Sequence, residues 1–88
     1  MIWKVEFDDR ARKELRKLDN HVQNNILQYL RERIATHKNP HRFGTPLRKN
    51  LSGLWRYRIG NYRIICHIKD DVLTVRVLHI GHRKEVYR

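Results

Sequence analysis

Three arginines near the middle of the chain have the type and spacing for phosphate chemistry. Arg56, Arg58 and Arg63 stand in the run Leu54-Trp55-Arg56-Tyr57-Arg58-Ile59-Gly60-Asn61-Tyr62-Arg63. Side chains of an extended strand repeat every two residues, so Arg56 and Arg58 share a face. Arg63 follows across the Gly60-Asn61 turn, and all three converge on one surface. Guanidiniums gathered in a small area repel one another without an anion, and their planar donor forks match phosphate oxygens. Solvent-facing strand arginines are the plainer alternative. The absence of any neighbouring acid to pair them favours the anion.

The C-terminal octet, Gly81-His82-Arg83-Lys84-Glu85-Val86-Tyr87-Arg88, adds an imidazole, a guanidinium and a phenol after an apolar strand. These types suit phosphoryl transfer: a proton shuttle, a charge clamp and a ring that stacks on a base. Basic tails are common, so the octet gains weight only beside the arginines. Other candidates read as structure. His37 and His41 have the four-residue spacing of two metal ligands on a helix, but they flank Pro40 in a loop without cysteine or carboxylate, and no metal site is expected. Cys66 lies on the apolar register of its strand and is expected to pack. Trp55 and Tyr57 alternate with arginines and belong in the core. His67 reads as an ordinary strand histidine.

Charge frames these residues. The 88-residue chain carries 20 Lys+Arg against 9 Asp+Glu, a net charge of +11. Residues 33–69 hold nine of the basic side chains and no carboxylate, whereas the flanking segments are nearly balanced. An acid-free stretch of that length is the footprint of a polyanion partner. The length fits one domain over residues 1–88 and excludes a multidomain enzyme or a large cofactor-binding fold. At 40% apolar the chain can build one modest core. No apolar run is long enough for a membrane span and no leader is evident, so a soluble, cytoplasmic protein is expected. The single cysteine excludes an intrachain disulfide framework.

The elements that must position the arginines follow from periodicity. Residues 2–7 alternate, with Trp3, Val5 and Phe7 on one face, and read as a strand. Asp8 or Asp9 can cap a helix whose stripe is Ala11, Leu15 and Leu18. Asp19-Asn20 break it, and Val22, Ile26, Leu30 and Ile34 mark a second helix from His21 to about Thr36. The short joint predicts an antiparallel hairpin. Residues 37–53, with Pro40, Pro46, Gly44 and Gly53, read as a basic loop carrying Lys38, Arg42, Arg48 and Lys49. Three strands follow as a meander: Leu54–Ile59, Tyr62–Ile68 and Val72–Ile80. Gly53, Gly60 and Gly81 read as turn positions. The order β-α-α-β-β-β predicts an α+β fold, with helices on one face of a mostly antiparallel sheet and the other face open to solvent.

These runs resemble the RelE/ParE toxin superfamily, and its RelE branch most. Leu47-Arg48, Leu51 through Arg63, and Ile80-Gly81-His82-Arg83-Lys84-Glu85-Val86-Tyr87 carry the likeness, and the opening strand and charged hairpin fit it. The resemblance implies a small ribosome-dependent endoribonuclease that cuts messenger RNA in the ribosomal A site without metal or cofactor. The ribose 2′-hydroxyl attacks the adjacent phosphate, leaving a 2′,3′-cyclic phosphate and a 5′-hydroxyl. The family's basic pair falls on Arg56 and Arg58, its next arginine on Arg63, its arginine after the last strand on Arg83, and its tyrosine on Tyr87. In this reading Arg63 clamps the scissile phosphate, Arg83 stabilises the departing oxygen with help from His82, and Arg56, Arg58, Arg48 and Lys49 grip the backbone. Well-known relatives have lysine at the basic pair. Arginine makes a poor general base, so proton transfer moves to His82 or Tyr87.

The implied partners are a cognate antitoxin, acidic where it crosses the arginines, the 70S-type ribosome with its RNA, and messenger RNA. No membrane is expected among them. Two alternatives stand beside the nuclease: a ParE-like inhibitor of DNA gyrase, and a non-catalytic nucleic-acid-binding module using the same basic face. Arg83 together with Tyr87 argues against the gyrase inhibitor.

Overall fold

The computed structural model describes residues 1–82. Strand β1 (Lys4–Phe7) leads into helices α1 (Asp9–Arg16) and α2 (Asn20–Tyr29). The short strand β2 (Thr45–Pro46) precedes a meander of β3 (Trp55–Ile59), β4 (Tyr62–Lys69) and β5 (Thr74–His82). The five strands lie in the order β1-β5-β4-β3-β2. Only the β1–β5 pairing is parallel; β5–β4, β4–β3 and β3–β2 are antiparallel. Two helices against a mostly antiparallel sheet give the expected α+β fold.

Alternation and helical stripes meet in one core. Ala11, Leu15, Ile26, Leu30 and Ile34 from the helical side pack with Tyr57, Ile59, Ile64, Cys66, Ile68, Val75, Val77 and Ile80 from the sheet. Trp3 is buried with them, and Val5 and Phe7 pack against the edge of the cluster. Gln23 Nε2 donates to Leu18 O at 2.8 Å and fastens the joint between the helices. After Tyr29 the second helix loosens into a π-helical turn over Leu30–Ile34, closed by Ala35 N–H on Leu30 O at 2.8 Å.

Three expectations change in detail. Residues 37–53 are not bare loop: 3-10 turns form at Pro40–Phe43 and Lys49–Leu51, and Thr45–Pro46 adds a fifth strand beside Arg56 and Trp55. Proline is tolerated there because β2 is an edge strand. The last strand begins at Thr74, because Asp70–Val72 form a 3-10 turn and Leu73 takes a left-handed conformation. Gly81 is not a turn residue; it lies within β5 opposite Arg63.

Tyr57 ties the proline-containing segment to the sheet. It is fully buried, and its hydroxyl donates to Pro40 O at 2.8 Å. Burial pushes the phenol well above the ordinary tyrosine range, which keeps it protonated as a donor. Tyr57→Phe would strand a buried carbonyl and is expected to lower stability by about 1–2 kcal/mol, read as a lower urea midpoint at unchanged slope.

The start of α1 has a charge partner of its own. Asp8 takes the N-cap position, but its main partner is Arg76, whose Nη2 lies 3.0 Å from Oδ1. The Arg76 guanidinium holds the Asp8 carboxyl below the usual aspartate range. A folded-state pKa below the unfolded one stabilises the fold above the unfolded pKa and is lost as pH falls through the folded value. Asp8→Asn is therefore expected to lower the melting temperature at neutral pH, with the gap to wild type closing as pH falls below the carboxylate range.

Candidate nucleic-acid interface

The pairing of β3 with β4 brings the sheet arginines together. Arg58 lies directly opposite Arg63, and Arg56 opposite Ile65, so all three side chains leave the face away from the helices. On the other flank of Arg63 stands Gly81 of β5, which places no side chain there. Arg58 is exposed, and Arg56 and Arg63 are half-buried. The pairing thus holds two guanidiniums side by side across the ladder, where each feels the other's charge.

Among the described residues, Glu6 and Asp8 stand at the β1 end of the face, where both engage Arg76, at 3.6 and 3.0 Å. At the arginine end, part of the face is covered rather than open. Leu47 and Ile65 are buried against each other, with Leu51 and Leu54 packed around them. Leu47 N–H donates to Leu54 O at 2.9 Å, and this bond folds residues 47–54 back onto the start of β3. Arg48 and Lys49 are carried on that fold and are exposed. Lys49 has a positive φ of 58°, a conformation disfavoured by its side chain and held by the 3-10 turn it begins.

A β-bulge decides which end residues join the arginines. Ile65 pairs with His79 while Cys66 pairs with Val77, so Leu78 is the extra residue. Unbroken alternation from the buried Val75 and Val77 would turn His79 and Gly81 toward the helices. The bulge reverses the phase: His79 and Gly81 join the arginine face, and Ile80 and His82 face the helical side. His82 pairs with Tyr62, its ring 5.6 Å from the tyrosine ring in an edge-on arrangement. The structure thus gathers Arg56, Arg58 and Arg63, carries Arg48 and Lys49 on the adjoining fold, and places His82 on the opposite face. Arg83 and Tyr87 lie outside the described residues.

Sequence reasoning missed Glu14 and His79. The Glu14 carboxylate on α1 accepts from Ile80 N–H at 2.9 Å and holds His79 Nδ1 at 2.7 Å, anchoring β5 where it has run past the end of β1. Its sequence signal is faint: a carboxylate on a charged helix, partnered 65 and 66 positions away.

The remaining candidates are structural. His41 Nε2 contacts Asp70 Oδ1 at 3.1 Å, and its ring meets Trp55 edge-on at 4.5 Å. Trp55 is half-buried and Tyr57 fully buried, so both serve packing. Cys66 is buried, and burial pushes its thiol far above the ordinary range, away from the nucleophilic thiolate. Among the described residues no three His, Cys, Asp or Glu side chains gather into a metal site, and no helix is long and apolar enough to cross a membrane.

Known proteins share both the sequence and this architecture. The family model described as the ParE toxin of type II toxin-antitoxin system, parDE, matches residues 5–87. Toxin RelG of Mycobacterium tuberculosis is 33% identical over 88 residues, covering 100% of this chain and 99% of RelG. Toxin RelE of the same organism is 46% identical over 50 residues, which is 57% of this chain and 52% of that toxin. Among solved structures, the toxin–antitoxin complex RelBE2 of M. tuberculosis superposes with a TM-score of 0.86 at 31% identity, covering 94% of this chain and 100% of that chain. The isolated E. coli RelE toxin gives 0.71 at 27% identity, covering 97% and 90%. The chain belongs to the RelE/ParE superfamily of type II toxin–antitoxin toxins.

Proposed function

We propose that this toxin is a ribosome-dependent endoribonuclease of the RelE type that acts in the cytoplasm and is held inactive by a cognate antitoxin. The observation that carries the reading is the Arg58–Arg63 cross-strand pair, with Arg56 beside it on the same face. Such a face suits a phosphodiester with charge accumulating on its oxygens. Arg63 holds the scissile phosphate and stabilises the added negative charge when the 2′-hydroxyl attacks. Arg56 and Arg58, with Arg48 and Lys49, neutralise the flanking backbone. Arg83 serves the departing 5′-oxygen and Tyr87 the base or the 2′-hydroxyl proton. His82 stands at the strand end on the helical face, so a proton-transfer role for it requires the chain to carry it around the sheet edge; Tyr87 is the better candidate. The named relatives RelG and RelE, and solved neighbours that include toxin–antitoxin complexes, support both the toxin and its inhibitor.

The matched family model favours a second reading, inhibition of DNA gyrase, because its description is that of the ParE toxin. That reading gives the arginine face a protein partner and no chemistry. The two separate in one comparison. In a reconstituted translation reaction the purified chain is expected to cut ribosome-bound messenger RNA, mapped as new 5′ ends, and to leave naked RNA and gyrase supercoiling untouched. Arg63→Ala should slow cutting by about 100-fold or more, whereas Lys13→Ala on the exposed side of α1 should stay close to wild type. Intact messenger RNA with blocked supercoiling would establish the gyrase reading instead.

A further inference from the structure

The basic residues of the acid-free stretch do not all reach the sheet face. Arg33 and Arg42 come together on the helical side, around two aromatic rings. The Arg33 guanidinium lies 5.3 Å from the ring centre of Tyr29 and 5.6 Å from that of Phe43, and Arg42 lies 4.3 Å over Phe43. The rings are fixed from below: Tyr29 meets Phe43 edge-on at 6.3 Å and rests 6.2 Å from the buried Tyr57, itself bonded to Pro40. Both arginines are exposed, and among the described residues neither forms an ion pair. The nearest carboxylate in sequence, Glu32, accepts from Gln28 Nε2 at 3.0 Å. Burial raises the Tyr29 hydroxyl above the ordinary tyrosine range, against the opposing fields of Arg33 and Arg42.

We propose that Arg33 and Arg42, laid over Tyr29 and Phe43, form a second phosphate-gripping surface that takes the backbone of structured RNA on the side of the molecule opposite the sheet arginines. The inference rests on the nuclease reading above and adds a separate contact to it. A guanidinium held over an aromatic ring loses little further freedom when it binds, and it presents a planar donor set suited to phosphate. Arginine and aromatic planes are also surfaces on which nucleobases stack. Charge on two opposed faces of a body only 32 × 31 × 22 Å across fits a partner that encloses it, as an RNA-walled cavity does.

The test is the salt dependence of binding to purified 70S ribosomes by the full chain. The double variant Arg33→Gln with Arg42→Gln is expected to bind about tenfold or more weakly. Its slope of log affinity against log salt should be shallower by about 1–2, in keeping with the loss of two phosphate contacts. Cleavage should fall with occupancy and recover as protein concentration is raised. Arg33→Lys with Arg42→Lys should restore the slope. Arg12→Gln with Arg16→Gln removes the same charge from the exposed side of α1 and should change the slope far less. Equal loss in that control would reduce the effect to net charge and overturn the proposal. So would an unchanged slope in the Arg33/Arg42 variant, or a loss confined to poly-glutamate binding, which would make the surface a site for an acidic protein. If wild type neither binds nor cuts on ribosomes, the nuclease reading falls and this surface falls with it. If wild type cuts and the variant matches it in affinity and slope, only the second surface is lost.

Discussion

The register between β3 and β4 is the constraint on which the rest depends. It sets Arg58 against Arg63 and therefore places like charges where a ladder least tolerates them. The same register places Tyr57 opposite Ile64, both fully buried, and Trp55 opposite Cys66. A slip of one residue would send the arginines into the core and the core residues to water, which makes that register the single acceptable one. Gly60, with a φ of 58°, supplies the tight turn between the strands, where a side chain would be strained. Apolar burial beneath the sheet thus holds two guanidiniums side by side above it.

The other elements serve this arrangement from a distance. Tyr57 reaches Pro40 and draws the proline-containing segment under the sheet, while Glu14 pins the far end of β5 beside Arg63. The apolar fold of Leu47, Leu51 and Leu54 over Ile65 walls one side of the arginine cluster. That wall also shields part of the guanidinium group from water, and charge interactions strengthen where water is excluded.

How much of this could be read from the sequence depends on the range of the interaction. Alternation in Trp55–Ile59 and Tyr62–Ile68 located both arginine strands and their faces, because a two-residue period is a local property. The helical stripes through Ala11, Leu15, Ile26 and Leu30 identified the covering layer for the same reason. The bulge at Leu78 was out of reach: the phase of β5 is set by its pairing with β4, so the faces of His79 and His82 could not be assigned from their own strand. Thr45–Pro46 is a strand only because Trp55 and Arg56 lie alongside it, and Glu14 gains meaning only from Ile80, far along the chain. The proposed reaction came from the RelE-like likeness alone, because no pattern of charge or period contains one.

The central claim is that the arginine face stabilises charge during attack by a ribose hydroxyl on its own 3′-phosphate. Replacing that one hydroxyl tests it most directly. Ribosomes would be programmed with messenger RNA carrying a single 2′-deoxynucleotide at the mapped cleavage position in the A-site codon, and single-turnover cutting measured against the all-ribose message. Scission at that position is expected to disappear while the toxin binds the two complexes with equal affinity. Cutting at the same position and rate in the 2′-deoxy message would contradict it.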